Sequence, residues 1–138
     1  MDKNYSTDKT FPGFVYIINY GDGSIFKIGF TILTPETRIK QIAHKDVILP
    51  MQLVMYSYVI TNCRYLETLM HLHFEDQRVG GEWFRLDFPR LVEAYQILAS
   101  FGSVTLCEDW YSLVPEDYKK FIEYGVVYPL LPRFIMKS

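Results

Sequence analysis

The chain has only two cysteines in 138 residues, Cys63 and Cys107, and neither belongs to a CxxC pair or a cluster of other ligands. That argues against a zinc site and offers no disulfide framework, so two reduced, partly buried thiols are expected. Positive charge is not in excess either. Fourteen Lys and Arg against 16 Asp and Glu give a formal net charge of -2. Without a global basic field, constitutive high-affinity DNA binding is disfavoured, whereas brief engagement of a few phosphates beside a bound cation is not. No apolar run reaches the length of a membrane span, and the most hydrophobic tail segment, VVYPLLPRFIM, is broken by Pro129 and Pro132. The opening MDKNYSTDKT lacks the apolar core of a signal peptide. No membrane partner is expected, and the predicted location is the cytoplasm, or the nucleus in a host that has one. Internal repeats and low-complexity tracts are also missing.

What the chain does have is apolar and aromatic mass. Hydrophobic residues make up 49% and aromatics 17%, with 11 Tyr and 10 Phe, enough for one folded domain and far from a disordered profile. Residues 1–10 are expected to be a flexible leader, 11–102 the domain, and 103–138 a C-terminal extension packed on or beside it. The stretch from Gly13 to Phe30 reads as a hairpin: two β-rich runs around Asp22-Gly23, a tight-turn signal. With those two residues central, Tyr20 pairs with Ile25, Ile18 with Lys27 and Tyr16 with Gly29. Tyr16 and Lys27 then lie diagonally on one face, roughly 7 Å apart at the backbone. Gly29 leaves open space beside the phenol.

Thr34-Pro35-Glu36 predicts a helix start, with the helix running to about His44 and Arg38 free to reach a neighbouring surface. Gln52 to Ile60 reads as a third strand. Asn62 is expected to cap a second helix from Cys63 to about Arg78, burying Cys63, Leu66, Met70 and Phe74 and placing Glu67, His71, Arg64 and Arg78 at one rim. GEWFRL from Gly81 is a short extended piece whose Trp83 and Phe84 are expected to seal the core, with Glu82 anchoring the turn. Asp87-Phe88-Pro89 opens a third helix ending near Gly102. SVTLC follows as a short strand or loop, then PEDYKKFIEYG as a short helix.

The ordered set Gly13-x-Val15-Tyr16, Lys27-Ile28-Gly29, Arg38, Glu67 and Gly81-Glu82-Trp83-Phe84 resembles the GIY-YIG nuclease superfamily. More narrowly it resembles the branch of phages and mobile elements with a KIG second motif and a closing GEWF. Lys27 stands where the name-giving motif has its second tyrosine, and no asparagine matches the late one of many members. The resemblance implies an α/β (α+β) fold, a small three-stranded antiparallel sheet flanked by helices, that hydrolyses phosphodiester bonds, in DNA, with Mg²⁺ or Mn²⁺. Glu67 would be the metal ligand and Tyr16 the general base. Lys27 would help ionise the phenol, Arg38 would hold the scissile phosphate, and His71, one turn after Glu67, would orient the carboxylate, contact the metal's water or protonate the leaving oxygen. Two other readings stand beside it. One is a catalytically silent nucleic-acid-binding or regulatory module of the same fold. The other is a structural or interaction protein whose aromatic tail from Trp110 onward docks a partner or a second copy of the chain, the latter giving a homo-oligomer.

Overall fold

The computed structural model describes residues 12–21, 24–45, 51–107, 113, 115 and 116. The leader, the Asp22-Gly23 turn and, apart from residues 113, 115 and 116, the PEDYKKFIEYG helix and the aromatic tail lie outside the described residues. Within them, β1 (Phe14–Tyr20), β2 (Ile25–Thr31), α1 (Pro35–Lys45), β3 (Met51–Ser57), α2 (Cys63–His73), β4 (Arg78–Gly80), β5 (Trp83–Arg85), α3 (Phe88–Ala99) and β6 (Val104–Leu106) follow in order. The class is α+β, as expected, but the sheet has six strands in the order β4-β5-β2-β1-β3-β6, not three. Every pairing is antiparallel. The three additional strands are only three residues each, too short to show a period-2 pattern; β5 and β6 form on the edges of β2 and β3, and β4 pairs in turn with β5.

Alternation along β1 and β2 sorts their side chains between two faces. Val15, Ile17, Phe26 and Ile28 point to one, where Leu66 and Met70 of α2 and Leu91, Ala94, Tyr95 and Leu98 of α3 complete the core. Tyr16, Ile18 and Lys27 point to the other, where α1 sits: Arg38 hydrogen-bonds Tyr16 and Tyr56 donates to Glu36 at 3.2 Å. The hairpin register matches the expected one, with Tyr16 opposite Gly29, Ile18 opposite Lys27 and Tyr20 opposite Ile25.

Local chemistry sets the element ends. Thr34 Oγ1 accepts from the Thr37 amide at 3.2 Å and starts α1. β3 stops at Ser57, short of the expected Ile60, because Ser57 Oγ turns back to accept from the Val15 amide at 3.0 Å and to donate to the Tyr58 carbonyl at 2.8 Å. The chain rejoins the sheet only at an isolated bridge between Gly13 and Ile60. α2 is capped by Asn62, as expected, but ends at His73 rather than near Arg78. A 3-10 turn over Glu75–Gln77 continues the spacing that reads as helix, so Arg78 opens β4 instead of extending the rim of α2. Cys63 is buried, Cys107 is half-buried, and neither forms a disulfide. None of the described helices is long and apolar enough to cross a membrane.

Candidate active site

The site grows from the point where β5 stops. β5 pairs with β2 only from Ile25 to Lys27, and the next residue, Ile28, is held on that side by two unlike partners. Its amide donates to the Glu82 carbonyl at 3.0 Å, and its carbonyl lies 2.8 Å from His71 Nε2. A carbonyl only accepts, so Nε2 carries the proton. These two bonds bring the β4–β5 turn and α2 to the same spot on β2. Gly81, with φ of +53°, supplies the left-handed residue that this turn requires.

Glu67 is one helical turn before His71 and is buried, 2% exposed. Its Oε2 lies 3.8 Å from His71 Nε2 and has no hydrogen-bond partner among the described residues. Burial, and then the neighbouring Glu82 carboxylate, push its pKa from the ordinary carboxylate range to about 8, with Lys27 and Arg64 pulling the other way. A buried carboxylate oxygen without a partner is costly. It is also what a hard divalent cation, which takes oxygen ligands, would satisfy. The residues therefore fit one carboxylate-held Mg²⁺ or Mn²⁺, with Glu82 as the second acid at hand. No group of three or more acidic, His or Cys side chains among the described residues forms a closed metal cage.

Tyr16 lies 1% exposed in β1. Burial raises its pKa above the usual phenol value, and the Arg38 hydrogen bond and charge oppose that rise, while Glu82 and Glu67 add to it. The cation bonded to the phenol is Arg38, not Lys27. Lys27 is committed elsewhere, 2.5 Å from Glu82 Oε1 and 5.6 Å from the centre of the Trp83 ring. The space over Gly29 is not open as expected: the phenol itself fills it, and a Cβ built there would meet the Tyr16 hydroxyl at 2.5 Å and its Cζ at 2.7 Å. His71 packs on Phe84 at 5.0 Å between ring centres, and burial lowers its pKa, which favours the neutral ring.

Arg38, Glu82 and Glu67 act on Tyr16, Glu82 and Lys27 act on Glu67, and His71 approaches Glu67 at 3.8 Å, so these side chains form one connected chain of neighbours. Glu82 is the member that reading the sequence assigned only to the turn. Its signal was position: the GEWF glutamate falls next to a strand carrying an unpaired lysine. The two aromatics after it also divide. Phe84 is fully buried, whereas Trp83 is half-exposed on the face of Lys27.

A family model described as the T5orf172 domain matches residues 13–100. No curated protein and no solved structure matches the chain.

Proposed function

The chain belongs to the T5orf172 family, a phage-associated class of nuclease-like domains, and we propose that it is a divalent-metal-dependent endonuclease of the GIY-YIG type acting on DNA. The observation that carries this reading is the buried, unpartnered Glu67 oxygen beside a phenol that an arginine hydrogen-bonds. Glu67 would hold Mg²⁺ or Mn²⁺, and such an ion would polarise a phosphoryl oxygen and offset its developing charge.

The chain's own residues do the rest. Tyr16 accepts the proton of the attacking water at its hydroxyl oxygen. Arg38, bonded to that oxygen, favours the ionised phenol and reaches the phosphate. Glu82 fixes the Lys27 ammonium at the rim of the site, where it meets phosphate charge without a search among rotamers. His71 is a positioning residue: its Nε2–H is engaged by the Ile28 carbonyl, which anchors the turn of α2 that carries Glu67.

A catalytically silent nucleic-acid-binding module is the second reading, favoured by the near-complete burial of Tyr16, which restricts water at the phenol. A cleavage panel separates the two. Plasmid, single-stranded DNA and RNA are incubated with wild type and Glu67→Ala in Mg²⁺ and Mn²⁺. The nuclease reading expects cleavage by wild type, its loss in Glu67→Ala and Arg38→Ala, and a reduction of about 100-fold or more in Tyr16→Phe. Wild-type protein that leaves every substrate intact overturns it.

A further inference from the structure

We propose that the open cleft next to this site, walled by Trp83 and Tyr20, is a subsite for one unpaired nucleobase of the substrate strand. It rests on the nuclease reading only for where the neighbouring phosphate lies, at Lys27 and Arg38.

The cleft has a volume of about 480 Å³ and is lined by Tyr20, Ile25, Val79, Gly80 and Trp83. All but the Tyr20 hydroxyl, the Trp83 indole N–H and the backbone is apolar, which suits the face of a heteroaromatic ring and not a second phosphate. The Tyr20 and Trp83 rings meet at 58° with centres 5.2 Å apart. They form a corner, not a closed stack, so a flat guest has a wall to lie on. Val79, at the rim, is 51% exposed.

Register ties the cleft to the site. Trp83 is the direct partner of Lys27, and alternation along β5 turns Phe84 into the core and Trp83 onto the face that carries Tyr16 and Lys27. The Lys27 ammonium lies 5.6 Å from the Trp83 ring centre, comparable with the reach from a phosphate to the base of the same nucleotide. Two residues past Trp83, on the same face, Arg85 is exposed beside Ser24. The aromatic corner therefore sits between two cations, as a base in a single strand sits between two phosphates. A base inside a duplex has its faces covered by its neighbours and cannot enter, so the substrate class is single-stranded or locally unpaired nucleic acid.

The test is equilibrium binding by full-length Glu67→Ala protein in EDTA. The ligands are a single-stranded DNA oligonucleotide, the same strand with one abasic nucleotide moved along it, and the blunt duplex. In a Trp110→Phe background Trp83 is the sole tryptophan, since the chain has two, and reports stacking as fluorescence quenching. The single strand is expected to quench Trp83 and to bind about tenfold or more tighter than the duplex. One abasic position is expected to cost about tenfold, as is Trp83→Leu. Gly80→Leu gives the same loss with an unchanged unfolding midpoint, because a side chain there meets no atom within 4 Å and fills the cleft from its rim. Equal affinity for the intact strand and every abasic one, or full affinity in Gly80→Leu, overturns the subsite. Base-dependent binding by a wild type that cleaves nothing overturns the nuclease reading alone, and cleavage indifferent to abasic positions overturns the subsite alone.

Discussion

The Lys27 ammonium stands 2.5 Å from Glu82 Oε1, joining residues 55 apart in sequence. This pair keeps a cation against Glu82, whose carboxylate also interacts with the buried Glu67. Lys27→Met is therefore expected to destabilise the fold more than Lys27→Met combined with Glu82→Gln. Lys27 is 13% and Glu82 43% exposed, so water screens the pair and the coupling should be about 1 kcal/mol. A double-mutant cycle by urea denaturation at pH 7 measures it, and additive single changes would refute the pairing.

Glu67 gives stability a pH dependence of defined sign. Its folded pKa is raised to about 8, from 4.5 for an ordinary glutamate. The folded state thus binds its proton more tightly than the unfolded chain. The stabilisation is complete below pH 4.5 and is lost as pH rises through 8. Glu67→Gln mimics the protonated acid, so it should match wild type near pH 5 and exceed it at pH 8.5 by on the order of a few kcal/mol. Mn²⁺ at pH 8.5 should raise the wild-type unfolding midpoint, a chelator should reverse the rise, and Glu67→Gln should ignore both. A wild-type-to-variant difference that is flat in pH contradicts the buried acid.

How far the sequence reveals this arrangement depends on the distance over which each part is specified. The hairpin register is local and was legible, because a short turn signal fixes which residues oppose. The rim position of Glu67 and His71 follows from helical period. Strands of three residues, Arg78–Gly80, Trp83–Arg85 and Val104–Leu106, carry no period that assigns them to the sheet: the extended character of GEWFRL and SVTLC is legible, their pairing with β2 and β3 is not. The shared face of Lys27 and Tyr16 is fixed by the hairpin register, but the ion-pair partner of Lys27 is not. Strand geometry places Lys27 on the face of Tyr16, while its partner, Glu82, arrives through the β4–β5 turn, 55 residues on in the sequence. Arg38 reaches Tyr16 because α1 crosses that face of the sheet, a matter of tertiary packing that no motif spacing encodes.

Gly29 is required by contact, not by backbone conformation. Its φ is not in the left-handed region, yet an added Cβ would stand 2.5 Å from the Tyr16 hydroxyl and 2.7 Å from Cζ. Tyr16 is enclosed and cannot swing away cheaply. Gly29→Ala should cost about 1–3 kcal/mol through displacement of the ring, and cleavage should fall with it. Tyr16→Phe in the same chain removes the hydroxyl contact but not the one at Cζ, so it should restore only part of the stability. Urea midpoints of the three variants check this, and a Gly29→Ala protein as stable as wild type would contradict the close approach.

His71 should titrate in the opposite sense to Glu67. Burial lowers its pKa, so the fold prefers the neutral ring. The stability this confers is whole above the unfolded value of 6.5 and is lost as pH falls through the folded one. His71→Gln keeps a donor for the Ile28 carbonyl without a titrating group, whereas His71→Leu leaves that carbonyl unpaired at about 1–3 kcal/mol. Gln should therefore be less destabilising than Leu at pH 7.5, and it should gain on wild type as the solution is taken to pH 5. Urea denaturation at the two pH values decides it. A wild-type advantage that grows on acidification would mean that the ring is held charged by Glu67, with the helix anchored by an ion pair in place of the neutral Nε2–H bond to Ile28.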